Sequence, residues 1–147
     1  QTGIACKNEL ADAMLTRIAM DENFHMIFYR NLANAALDVA PNQMICAIRD
    51  ELLHFEMPGS NIDGFKIKAL QIAEAGIYDP RRHLNEVVSP TLKYWKIDER
   101  AFTGEGAAAY DELQGYLKKL EVTAKKFEER RDDGTLARTI AALQSRQ

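Results

Sequence analysis

The chain has 147 residues, 46% apolar and 28% charged, with a net charge of -3 and an isoelectric point near 5.6. That length suits one domain with a sizeable core, and the acidic balance gives no electrostatic reason to expect nucleic acid or an anionic membrane as partner. No apolar run approaches the ~18 residues of a membrane span, no targeting signal is visible, and Cys6 and Cys46 lack ligand spacing, so they read as small buried hydrophobes of a reducing, cytoplasmic compartment.

Helical spacing recurs along the chain and strand alternation does not, so the class is all-α, with antiparallel neighbours joined by short connections. The opening residues, Gln1 to Cys6, carry neither Met nor a capping signal and read as the tail of a helix begun upstream. Asn8 is placed to cap a long helix from about Glu9 to Val39, which Pro41 ends. A second helix is expected from about Asn42 to Met57, stopped by Pro58-Gly59, and a third from about Ile62 to Ala75, with Gly76 as its C-terminal cap. Asp79-Pro80 reads as cap and first residue of a fourth, reaching about Lys96 with a kink at Pro90. A fifth follows from about Glu105 to Arg131, its inner stripe running through Leu113, Leu117, Leu120, Ala124 and Phe127. Asp132-Asp133-Gly134 separates it from a short last helix around Leu136 to Leu143.

The chemistry concentrates in D-E-N-F-H-M-I-F-Y-R, Asp21 to Arg30. At about 100° per residue, and with Ile18 as the zero direction, Ala11, Met14, Tyr29 and Ala36 fall within about 40°. Glu22 at about +40° and His25 at about -20° lie inside that apolar stripe. Three residues apart on one face, a carboxylate and an imidazole can converge on one point, and a metal ion there would offset the burial of both; a His bonded to a nearby carboxylate is the alternative. Asp21 points about 100° away from Glu22, towards a neighbouring helix, where it can orient a ligand.

A second E-x-x-H, Glu51 to His54, falls on the edge and flank of its helix and reads as a rim pair. His83 stands beside Arg81 and Arg82 and reads as a solvated or interfacial residue. Trp95 continues the stripe of Leu84, Val88 and Leu92 and reads as core. Arg81 and Arg82 oppose the dipole in a first helical turn; they read as solvated charge, with the small dipole cost mildly favouring a partner role as the alternative.

The Asp21–Arg30 segment resembles the second D-E-x-x-H motif of the soluble acyl-acyl-carrier-protein desaturases. The likeness extends to A-P-N-Q at Ala40, H-F-E-M-P-G at His54, G-I-Y-D-P-R-R-H-L-N-E-V-V at Gly76, L-K-Y-W-K-I-D-E-R at Leu92 and F-T-G-E-G at Phe102, all similar to the actinobacterial branch. It covers nearly the whole chain to about Arg131. The resemblance implies a ferritin-like helical bundle, a homodimer and a di-iron centre that desaturates a fatty acyl chain held on acyl carrier protein. O2 and two electrons from a ferredoxin-type donor would be consumed. By this likeness Glu22 and His25 are iron ligands, Asp21 is the carboxylate that bonds the ligand His of the other motif, and Arg81 and Arg82 are candidates for docking the acidic carrier.

Only one ligand pair of the family's set is present. The first E-x-x-H and two further Glu ligands have no counterpart, so residues 1–131 resemble the C-terminal portion of such a domain, and 132–147 a short terminal helix and tail. One Glu and one His cannot hold two irons. The expectation is therefore desaturase activity for a longer parent and none for this chain alone, with Glu22 and His25 bonding each other or water. The alternatives are a non-catalytic module that dimerises or binds carrier, and a small protein holding iron between subunits.

Overall fold

The computed structural model describes residues 2–145 and is all-α, with no strand among them. A short helix α1 (Thr2–Cys6) leads through Lys7, at φ 49°, into α2 (Glu9–Val39). The expected cap is present: Asn8 Oδ1 accepts from Ala11 N at 3.0 Å, which satisfies one of the amides a helix start leaves unpaired. Single-residue linker Ala40 then turns the chain into α3 (Pro41–Leu53). This helix stops earlier than its pattern suggests. His54 Nδ1 lies 2.8 Å from Asp50 O, at the position where the next helical turn would form. Residues 54–57 lead non-helically into the Pro58-Gly59 turn.

Helix α4 (Phe65–Glu74) begins three residues later than expected, because Gly64 at φ 73° takes a left-handed conformation outside the helix. Gly76, at φ 67°, closes its end as anticipated. The expected fourth helix is three pieces. Asp79 caps α5 (Pro80–Arg82) by accepting from Arg82 N at 2.8 Å. A π-helical stretch, His83–Val88, follows, and α6 (Ser89–Tyr94) completes the arm. Pro90 can offer no N–H to the turn before it, and the wider π turn, in which Ser89 N bonds Leu84 O, carries the break upstream. Lys96, at φ 52°, and a single 3-10 turn (Ile97–Glu99) then lead towards α7 (Glu105–Asp132) and α8 (Thr135–Gln144).

The core lies where α3 and the π-helix/α6 arm meet α7. Leu37, Ile45, Ile48, Val88, Leu92, Ile97, Ala109 and Leu113 close it, with Leu117 and Leu120 packed against it. Gly106 lets α7 approach α3, since a Cβ there would overlap the backbone and side chain of Asn42. Asn42 in turn accepts from Thr103 N at 2.9 Å and donates to Thr103 Oγ1 at 3.0 Å, pinning the start of α7. A smaller cluster around Leu136 and Ile140 seats α8 against α4 and α7. No helix is long and apolar enough to cross a membrane among the described residues. Cys6 is exposed and Cys46 half-buried, so only the second approaches the buried state expected of both.

Candidate functional site

Helix α2 carries the Glu–His pair on its free stretch. Leu37 is its only buried residue, and only the last turns join the core. Upstream, Met14, Ile18, Phe24, Phe28 and Tyr29 are all largely exposed. The pair shares that exposure: the side chains of Glu22 and His25 are 69% and 67% exposed. Among the described residues nothing covers the apolar stripe around the pair, so the burial expected for it is not observed. The expected contact between the two is present, with His25 Nδ1 3.3 Å from Glu22 Oε2. Asp21 turns away from both and faces Arg17 Nε at 3.5 Å.

Glu22 and His25 supply one imidazole and one carboxylate to a single point. No group of three or more His, Cys, Asp or Glu side chains comes together among the described residues. The pair therefore fits one arm of a metal site and does not form a di-iron centre by itself, which needs carboxylates from several helices. Glu51 and His54 are exposed, in line with a rim position.

The arginines of α5 have different surroundings. Arg81 donates to Glu121 (Nη1–Oε2 2.6 Å, Nη2–Oε1 3.1 Å) and to Glu128 (Nε–Oε1 2.9 Å, Nη2–Oε2 3.1 Å), both on α7. These charge-assisted bonds hold both carboxyls below their ordinary range and raise the guanidinium above its own. The dipole penalty at the start of α5 is thus offset by two carboxylates reaching across from α7. Arg82 makes one bridge to Glu86, Nη1–Oε1 3.0 Å, within its own arm.

His83 overturns its solvated or interfacial reading. It is 7% exposed, stacked on Phe55 at 4.8 Å between ring centroids, with Nδ1 2.6 Å from Tyr78 Oη. Burial pushes its pKa down, so it is neutral at pH 7. His83 opens the π-helical stretch and is enclosed by Phe55 and Tyr78, neighbours that the adjacent arginines do not disclose. Also missed were two anchors between α2 and the α6 arm. Trp95 Nε1 donates to Arg30 O at 2.8 Å, and Arg100 reaches Asp38 Oδ1 at 2.8 Å and Asn34 Oδ1 at 3.2 Å. The clustering of Trp95 and Arg100 near a Pro-broken segment was the only trace of them in the sequence.

An all-α frame with a Glu–His pair in contact on one long helix defines a helical protein. The family model described as fatty acid desaturase matches residues 1–142, and the chain belongs to that family. It is 51% identical over 128 residues, 86% of its length, to the Mycobacterium tuberculosis protein named "Putative acyl-[acyl-carrier-protein] desaturase DesA1". It is 29% identical over 82 residues, 56% of its length, to the similarly named DesA2 of the same species. The chain spans 38% of DesA1 and 30% of DesA2. No solved structure matches it.

Proposed function

We propose that this chain is the C-terminal portion of an acyl-acyl-carrier-protein desaturase of the cytoplasm. The longer protein would introduce a double bond into a carrier-bound fatty acyl chain. Two hydrogens leave the acyl chain, two electrons come from a ferredoxin-type donor and two protons from solvent, and O2 becomes two waters. The observation that carries this reading is the match over residues 1–142 together with the Glu22–His25 contact on an uncovered apolar stripe. Iron, when bound, would supply the oxidising chemistry. Glu22 and His25 would provide one carboxylate and one imidazole to it, and Asp21, free of both, would orient a ligand from another helix. The other ligands, the cover of α2 and the homodimer contact would come from segments that the relatives possess beyond this match.

Acyl carrier proteins are acidic, which makes Arg81 and Arg82 the docking candidates. Arg82, held by one bridge within its own arm, is the freer of the two; Arg81 contributes mainly through α7. Charge reversal at Arg82 is expected to weaken carrier binding at low salt without disturbing the fold.

The deciding experiment supplies Fe(II), O2, ferredoxin, its reductase and acyl-carrier substrate to a longer chain carrying this sequence. Unsaturated product is expected, and Glu22→Ala or His25→Ala should lower both bound iron and product. The 147-residue chain should give no product. Turnover by the short chain, or undiminished iron in both variants, contradicts the proposal.

A further inference from the structure

Two cavities meet at the Phe55–His83 stack. One, of about 270 Å³, lies between α3 and the π-helix/α6 arm, with Ile48, Leu52, Val87 and Trp95 in its wall. The other, of about 620 Å³, lies between α4, the start of α5 and α7, with Phe65, Leu70, Tyr116 and Phe127 in its wall. Phe55 and His83 belong to both walls, and no residue of α2 to either. The linings are apolar except for Thr91, Thr123, Tyr78, Tyr116, His83 and three charged groups, Glu51, Lys66 and Asp79. Asp79 is itself buried and already committed to Arg131 and to the α5 cap.

His83 Nε2 is buried and has no hydrogen-bond partner among the described residues, while Nδ1 is engaged by Tyr78. A buried polar atom left unsatisfied is costly, so anything that pairs with it is favoured. Phe55 stacks over one face of the ring, between the two cavities. This ring sits in the non-helical stretch after α3 and is about half exposed, so its rotation costs little packing. Rotation would join the two cavities alongside His83, which lines both.

We propose that the joined cavity binds one elongated apolar molecule bearing a single uncharged hydrogen-bonding oxygen, such as a long-chain alcohol or ester, with that oxygen on His83 Nε2. A carboxylate suits the site less well, because His83 is neutral and the nearest buried charge, Asp79, is also negative. The site is independent of the desaturase reading, since it uses no residue of the Glu22–His25 region.

Trp95 is the only tryptophan and lies in the wall of the smaller cavity, so its emission reports occupancy. The protein would be titrated with 1-dodecanol below its solubility limit, alongside dodecanoate at pH 8. Saturable, one-to-one change in emission is expected with the alcohol, and at least tenfold weaker binding of the carboxylate. His83→Phe should weaken the alcohol by roughly tenfold and leave dodecane binding unchanged. Ala69→Trp, which fills the larger cavity, should abolish both, read by calorimetry. Circular dichroism verifies that each variant is folded. Absence of saturable binding to the wild type, or equal alcohol affinity in folded His83→Phe, overturns the proposal. Should His83→Phe not fold, equal affinity in Ala69→Trp does so.

Discussion

Helices α2 and α7 are of similar length, 31 and 28 residues, yet they stand in opposite relations to the fold. Helix α7 has a charged outer face and a narrow apolar stripe, and it buries Gly106, Ala109, Leu113 and Ala124. Helix α2 carries large apolar residues around most of its circumference and buries Leu37 alone. A helix that is apolar on several sides is made to be covered on several sides. The contrast separates a well-packed part of the chain from a part whose candidate ligands and apolar groups face outward. It also leaves the candidate metal residues on the exposed stretch of α2.

The sharpest test of that contrast is a pair of truncations. Leu113→Ala removes a fully buried side chain at the α3–α7 contact and should cost about 3 kcal/mol in urea unfolding. Phe24→Ala removes a larger side chain from the exposed stretch of α2 and should change stability by less than about 0.5 kcal/mol in this chain. Equal losses would show that the two helices are equally packed in solution.

The same contrast marks what the sequence could and could not disclose. The α7 stripe, the Asn8 and Asp79 caps and the Gly76 stop are local signals, and each stands where the pattern put it. The Glu22–His25 contact is likewise local, an i, i+3 pair on one helix. The apolar stripe of α2 was legible too, but what covers it is a non-local matter that periodicity cannot supply. The arm from Pro80 to Tyr94 failed for a different reason. His83 stands beside two arginines in sequence, yet Phe55 and Tyr78 enclose it, and that packing is not written in its immediate neighbours. Arg81 looked like a free basic group because its partners, Glu121 and Glu128, lie about forty residues away in sequence.

A second test addresses the clasp between α5 and α7. Arg81 holds Glu121 and Glu128 ionised below the ordinary carboxylate range. Groups whose pKa is lowered on folding stabilise the fold above their unfolded value of about 4.3, and that contribution is lost as pH falls through the folded value. The unfolding midpoint should therefore drop steeply below about pH 4.3, and Arg81→Gln should flatten that drop. A profile of the same slope in the variant would show that the clasp does not couple the two helices.

His83 acts in a higher pH window. Burial lowers its pKa, so between about 6.5 and the folded value the unfolded chain binds the extra proton. Stability should decline as pH falls below about 6.5. The groups facing it leave that sign unchanged: Phe55 carries no charge, the Tyr78 hydroxyl is itself raised by burial, and Asp79 is committed to Arg131. His83→Phe should remove this decline while leaving the steeper acid limb of Glu121 and Glu128 in place. Two separable limbs in the wild type, and one in the variant, would be read from melting temperature against pH.

The smallest expected effect is at the candidate ligands themselves. In this chain Glu22 and His25 are exposed, and their contact is a surface pair of the kind that contributes about 0–1 kcal/mol. His25→Ala should therefore leave the melting temperature of the 147-residue chain within error of the wild type. In a longer chain carrying the rest of the site, the same change should remove a metal ligand and shift the melting temperature of the iron-loaded form far more than that of the metal-free form, since a bound ion stabilises only the state that holds it. A residue whose deletion is silent in one context and costly in the other belongs to an assembly larger than its own helix. Equal, small shifts in both contexts would instead make the pair an ordinary surface contact and leave α2 without a metal-binding role.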